Sequence, residues 1–387
     1  MRENKFLFAH YLRGVAAISV VLTHYGSAFF NANPILSSYI NIPLLDDTSY
    51  PWLFRIVPPE LPGFLAVFGV AIFFMISGFV IPISIEKYNI VQFIFKRFQR
   101  LYPTYFFVFL LNMSIAILGF YIFFSPESHY PYNKLDIFST LFIGFGTFVI
   151  NVKQLDPVAW TLAIEILFYV IAALFFNFCF KLRKNKIIAL SDVLFLGLAL
   201  NIAVLLISKN FEEISSVFTL ISIGSVTKAL YLISFMLFGT VFYLRARGRV
   251  DIKPMIITLS VQYMCLIFVS TKIHPAAMYL PPVLMFSWFG IVILVFTLFY
   301  VVRDRITVNR YASYLGDISY PLYLCHSYVG YFIIGIILHY HLMPKTLAIF
   351  IPLPLVIYIS WLIHVHVELK NTNSLKLIMK ESKAKFY

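Results

Sequence analysis

Apolar runs of close to twenty residues recur along this chain, each too long and too free of charge to lie against water. About 20 helical residues cross a ~30 Å hydrocarbon core, so such a chain folds in a bilayer. Only helices or a closed barrel satisfy the backbone there, and runs of this length are helical. Ten spans are expected, at 7–30, 63–85, 102–124, 158–180, 187–207, 228–244, 254–271, 281–302, 318–338 and 346–366. Composition enters at one point. Of 387 residues, 61% are hydrophobic and 12% charged, whereas a soluble domain carries about a quarter charged residues. The fold class is therefore all-α: a polytopic membrane helix bundle, with residues 1–368 as a single transmembrane domain and 369–387 as a short basic tail suited to the membrane surface. The opening, MRENKFLFAHYLRG, lacks a short apolar core followed by a small-residue cleavage site, so the first span is expected to be retained. Cys179, Cys265 and Cys325 fall in apolar stretches and imply no disulfide framework.

The net charge of +13 is a topology signal. Arg2 and Lys5 precede the first span, and Lys87, Lys96, Arg97 and Arg100 follow the second. KLRKNK (181–186) follows the fourth, then Arg245, Arg247, Arg249 and Lys253, then Arg303, Arg305 and Arg310, and finally five tail lysines. That side holds 22 basic residues against seven on the other, with Arg13 alone inside a span. Cytoplasmic loops keep Lys and Arg, so both termini are expected in the cytoplasm. An error of one span would invert every later loop and erase the asymmetry. The charge thus calls for a lipid bilayer as partner, with some attraction to anionic head groups, and not for nucleic acid. The segment 137–150 is apolar but short, and counting it as a span would spoil the alternation. It is expected to be interfacial or re-entrant.

Ionisable groups inside spans are costly and face a bundle interior or a cavity. Arg13 and His24 lie in the first span, eleven residues apart, which puts them on one helix face and ~16 Å apart along it. Glu165 is the one carboxylate well inside a span. It comes out at the same outer-half depth as His24, so a Glu165–His24 pair is expected, the carboxylate orienting an imidazole that acts as general base. Arg97 and Arg100 share a face at the inner mouth of the third span. They suit a phosphate-bearing ligand, although position alone favours a plain positive-inside cluster. His326 reads as a packed core histidine or a ligand. His339/His341 and His364/His366 are two residues apart and diverge by ~200° on a helix, so no metal site is expected.

Five blocks in order resemble the acyltransferase-3 family, whose members O-acylate sugars of polysaccharides, peptidoglycan and some natural products. YLRGVAAISVVLTHY resembles the opening signature, with Arg13 and His24 in its arginine, ten residues, histidine pattern. GVAIFFMISGFVI resembles the second-span block ending in Ser77, Gly78 and Phe79. KRFQRLYP is similar to the paired-arginine motif, as Arg97, Arg100 and Pro103. AWTLAIEILFY resembles the block of Trp160 and Glu165, with Thr161 in place of the usual serine, and GDISYPLYLCH resembles the block ending in His326. The family often closes on a glutamate followed by proline. Here Glu368 is followed by LKNTN, which leaves its role open.

The resemblance implies acyl-coenzyme A, often acetyl-coenzyme A, as donor substrate with no bound cofactor. It implies Arg97 and Arg100 at the donor's phosphates, with Arg13, Ser77 and His326 also on the donor side. It implies His24 as the catalytic histidine beside Glu165. Trp160 is expected on the acceptor, a glycan or lipid-linked sugar. A secondary transporter, or a non-catalytic subunit of polysaccharide synthesis, would share the spans and the buried charges. The first should show internal repeats, which the sequence lacks, and the second should tolerate loss of the site residues.

Overall fold

A computed structural model describes residues 6–57, 60–124, 130–143, 145–149, 152, 155–275 and 282–370. Among these residues the long elements are all helices, and the one β pairing is an isolated bridge between Val149 and Ile221. Ten helices are long and apolar enough to cross a membrane: α1 Leu7–Asn31, α2 Gly63–Lys87, α3 Ile90–Phe123, α4 Ala159–Arg183, α5 Leu190–Lys209, α6 Ile223–Ala246, α7 Ile252–Ser270, α8 Val283–Val302, α9 Arg310–His339 and α10 Lys345–Glu368. An even number of crossings returns the end of α10 to the side where α1 begins. The segment 137–150 makes no span: a short helix, Lys134–Leu141, is followed by a 3-10 turn, Phe145–Phe148, and residues 144 and 150 lie outside the described set. The tail expected at 369–387 lies outside it beyond residue 370.

Three helices begin earlier than hydropathy suggests, each at a capping residue. Asn89 accepts from Gln92 N at 2.8 Å while the Gln92 side chain reaches back to Asn89 N, a capping box that starts α3 at Ile90 rather than near 102. Asn309 accepts from Tyr311 N and Ala312 N, starting α9 at Arg310 rather than near 318. Ser222 accepts from Ser225 N and starts α6 at Ile223. Hydropathy marks where lipid begins; the caps mark where the helix begins. Arg97, Arg100 and Lys228 thereby stand within helices rather than at the mouths of the expected spans.

The most deeply buried spans are α6 and α9. α6 crosses α2 backbone to backbone: a Cβ at Gly78 would strike the Met236 carbonyl, and one at Gly239 would strike that of Met75. Such contacts between small residues let membrane helices approach closely. α1 packs against α9 and α2, whereas α4 packs against α2, α3 and α6. Two apolar cores result, one around α2 and α6, the other around α1 and α9. Val70, Phe73, Ile166 and Tyr320 touch both cores and mark the seam between them.

The entry to α4 is held from below by Asp156, only 4% exposed. Its Oδ1 accepts from Val158 N at 2.9 Å and its Oδ2 from Asn112 at 3.4 Å. Burial pushes this carboxyl up to about 6 despite those bonds. The folded value exceeds the ordinary ~3.9, so the folded state holds the proton more tightly. The associated stability, about 3 kcal/mol at most, is present below pH ~4 and lost as pH rises through about 6. Melting of the purified protein at about pH 5 and about pH 7.5 should show that loss in wild type. Asp156→Asn, which keeps the acceptor for Val158, should flatten it; equal slopes for the two proteins would count against the assignment.

Candidate active site

Two cavities lie along the seam. The first, of about 360 Å³, lies toward the end where α1 begins and is lined by Arg13, Ser77, Arg97, Arg100, Glu165 and Tyr169, among others. The early start of α3 brings Arg97 and Arg100 onto it. Ser77 and Tyr169 both donate to Glu165 Oε1, each at 2.5 Å, which leaves Oε2 without a hydrogen bond among the described residues. Arg97 donates to Ser84 Oγ and lies 5.9 Å from the Tyr169 ring centre. Its buried Nε has no partner. Arg13 stands within electrostatic reach of Glu165, Glu368 and Arg100. Yet among the described residues none of Arg13, Arg97 and Arg100 makes an ion pair with a carboxylate. Three cations facing one partly desolvated cavity with a single carboxylate on its wall leave a net positive site. Such a site is suited to an anionic ligand.

The second cavity, of about 490 Å³, lies toward the opposite end and is lined by His24, Trp160, Lys228 and Tyr323 among apolar residues. Val70, Phe74 and Tyr323 line both cavities and form their common wall. Thr161 Oγ1 donates to Val158 O at 2.9 Å and so accepts from the Tyr323 hydroxyl at 2.8 Å, fixing that wall residue. The hydroxyl that Thr161 shares with serine therefore has a definite use here.

His24 opens a π-helical turn, His24–Ala28, near the end of α1. Such single-turn bulges recur at functional sites. His24 Nδ1 lies 2.8 Å from Nε2 of His326, whose side chain is fully buried, and His326 Nδ1 lies 3.0 Å from Leu322 O. A carbonyl only accepts, so His326 Nδ1 carries the proton and its Nε2 is bare. Nε2 must accept from His24 Nδ1–H, which leaves His24 Nε2 as an unprotonated nitrogen with no protein partner among the described residues. Tyr25 steadies the pair by donating to His326 O at 2.8 Å. Gly330 makes room for that ring, since a Cβ there would strike it.

The structure corrects two expectations. Glu165 does not pair with His24; its partners are Ser77 and Tyr169, and the partner of His24 is His326. Equal depth is only an axial coordinate: α1 and α4 both pack on α2, but His24 meets α9 while Glu165 meets Ser77 of α2 and Tyr169 of its own helix. Nor does His326 line the arginine cavity. It stands sixteen residues into α9 as His24 stands seventeen into α1, both ~25 Å along, so the two meet at one level. Arg13, Arg97, Arg100, Ser77 and Glu165 are brought together, while Trp160 lies apart from them with His24. Glu368, in a second π-helical turn, is bonded to His364 at 2.9 Å. Tyr169 and Lys228 went unnoticed in the sequence. Tyr169 was legible as one helical turn beyond Glu165; Lys228 was hidden as the first residue of an expected span.

These features define an integral, multi-pass membrane protein with a cationic cavity at one end of its bundle and a histidine-lined cavity at the other. Residues 6–365, nearly the whole chain, match the model of the acyltransferase-3 family, described as an acyltransferase domain. The protein belongs to that family and is a membrane acyltransferase. No curated protein and no solved structure matches the chain.

Proposed function

We propose that the protein moves an acyl group, acetyl in the first instance, from acyl-coenzyme A on the cytoplasmic side to a hydroxyl of a sugar or glycan. The bacterial inner membrane is the proposed setting, with both termini cytoplasmic. The observation that carries this reading is the cavity of three arginines unpaired with any carboxylate among the described residues, abutting at Val70, Phe74 and Tyr323 the cavity that presents His24. The arginines suit the donor's phosphates. Glu165 Oε2 suits an amide N–H of the pantetheine arm, and the arm's thioester passes the shared wall to reach His24. His24 Nε2 takes the proton of the acceptor hydroxyl as that oxygen bonds to the thioester carbonyl. The C–S bond then breaks, and the departing thiolate receives the proton back from the imidazolium. While charged, His24 is steadied by its Nδ1–H bond to the bare Nε2 of His326.

Donor binding tests the reading most directly. A lost contact between an arginine and a phosphate is worth about 1.5–3 kcal/mol, or roughly 10–150-fold. Arg97→Gln and Arg100→Gln should each weaken binding of radiolabelled acetyl-coenzyme A to protein in nanodiscs by that factor, and loss of the donor's 3′-phosphate should cost less in the variant that no longer contacts it. A wild-type protein that neither binds acyl-coenzyme A of any chain length nor releases thiol from it would falsify the proposal.

A further inference from the structure

Lys228 stands one and a half turns into α6, within the bundle rather than in a loop. Its Nζ lies 3.8 Å from the centre of the Trp160 ring. No carboxylate of the described residues pairs with it, and none lines either cavity that it borders. One of these is the His24 cavity. The other, of about 350 Å³, lies beyond Trp160 and Lys228 and is lined also by Tyr39, Thr147 and Ser225. The Thr147 hydroxyl there is buried without a hydrogen-bond partner. Lys228 and Trp160 thus form the partition between a reactive imidazole and a second polar hollow, and Lys228 carries the one full charge in that lining.

A half-buried ammonium with an aromatic face and no carboxylate beside it is costly. The indole offsets part of that cost, less than an anion would. A lysine at such a depth ordinarily extends to a membrane surface, but Lys228 lies over Trp160 on the wall of the His24 cavity. The donor's phosphates do not explain it, because the arginine cavity lies on the other side of the shared wall. An anion carried by the acceptor would supply the missing partner.

Resting on the acyl-transfer reading above, we infer that Lys228 and Trp160 form an acceptor subsite selecting a sugar that bears a negative charge, a carboxylate or a phosphate, near the hydroxyl brought to His24. A uronic acid and a sugar phosphate offer the same chemistry at Nζ. In both, the anion anchors the ring while the hydroxyl reaches Nε2, and the next unit of a longer glycan can occupy the hollow lined by Tyr39, Thr147 and Ser225.

The test uses purified full-length protein in nanodiscs with acetyl-coenzyme A and three acceptors: methyl glucoside, methyl glucuronoside and glucose 1-phosphate. Thiol release without acceptor is recorded alongside. Wild type should prefer the two anionic acceptors over the neutral one by at least about tenfold in kcat/KM, the worth of one charge-assisted contact. The better of the two anions tells carboxylate from phosphate. Lys228→Met should remove that preference through KM, and Lys228→Arg should restore it. Equal use of the three acceptors by wild type, or a preference that survives Lys228→Met, overturns the anionic subsite while leaving acyl transfer standing. Absence of both acyl-coenzyme A binding and thiol release in wild type overturns the acyl-transfer reading, and the subsite with it. Binding of glucuronic acid against glucose, followed by thermal shift, gives a readout independent of turnover: a shift for the acid that is lost in Lys228→Met is expected, and equal shifts overturn the inference.

Discussion

His24→Ala should lower acyl transfer from acetyl-coenzyme A by about 10²–10⁴-fold while leaving donor affinity unchanged. The split follows from the two cavities: His24 lines the one that Arg13, Arg97 and Arg100 do not. His326 makes the prediction sharper. Its bare Nε2 holds His24 in the tautomer that presents Nε2 as the base. His326→Gln can still place an acceptor near His24 Nδ1 and should keep a measurable part of the activity. His326→Leu leaves a buried N–H unpaired, frees the wrong tautomer and should approach His24→Ala in its loss. Single-turnover thiol release with each variant, alongside equilibrium donor binding, separates these effects. Label on wild-type protein that is lost with His24 would show that the imidazole carries the acyl group itself. Full activity in His24→Ala would exclude both the base and the nucleophile.

What the sequence made legible and what it hid divide along a physical line. Long apolar runs, alternating basic loops and lone charges within spans are one-dimensional signals, and they lead to the ten helices and to Arg13, His24, Arg97, Arg100 and Glu165 as residues of interest; Ser77 comes only from the resemblance. Lateral neighbours are not one-dimensional. Glu165 and His24 share a depth and both helices pack on α2, but the face of α1 that carries His24 meets His326 of α9 while Glu165 turns to Ser77 and Tyr169, so a pairing argued from depth alone chose the wrong partner. The entry of α9, RYASYLGD, is polar enough to read as loop, and only the Asn309 cap reveals that the helix already runs there. That shift lifts His326 from the inner side to the level of His24. The early start of α6 likewise turns Lys228 from a loop cation into a cavity cation.

The largest structural effect should come from Gly78, in the block Ser77–Gly78–Phe79. The three residues of that block act separately. Ser77 donates to Glu165, Phe79 packs edge-on against Phe8 with centroids 5.4 Å apart, and Gly78 sets how closely α2 approaches α6. A Cβ at Gly78 meets backbone, the Met236 carbonyl and the Gly239 Cα, and backbone cannot rotate out of the way. The same position carries a second constraint. Pro82, four residues on within α2, has no N–H to offer the Gly78 carbonyl. In a bilayer that orphan must find a donor, and Thr240 Oγ1 supplies it from α6 at 2.9 Å. Gly78→Ala must push the helices apart, which lengthens that bond and loosens the core on both sides, at a cost of about 1–3 kcal/mol or more. Gly78→Val should fail to give monodisperse protein. Thr240→Val, which removes the donor but keeps the shape, should cost about 0.6–2 kcal/mol. At Gly197 an added Cβ meets mainly the flexible end of Gln262 at 3.3 Å, so Gly197→Ala should melt like wild type. Thermal unfolding of the four variants in one detergent decides the matter. If Gly78→Ala and Gly197→Ala unfold together, the α2–α6 crossing is not what holds the cavity walls in place.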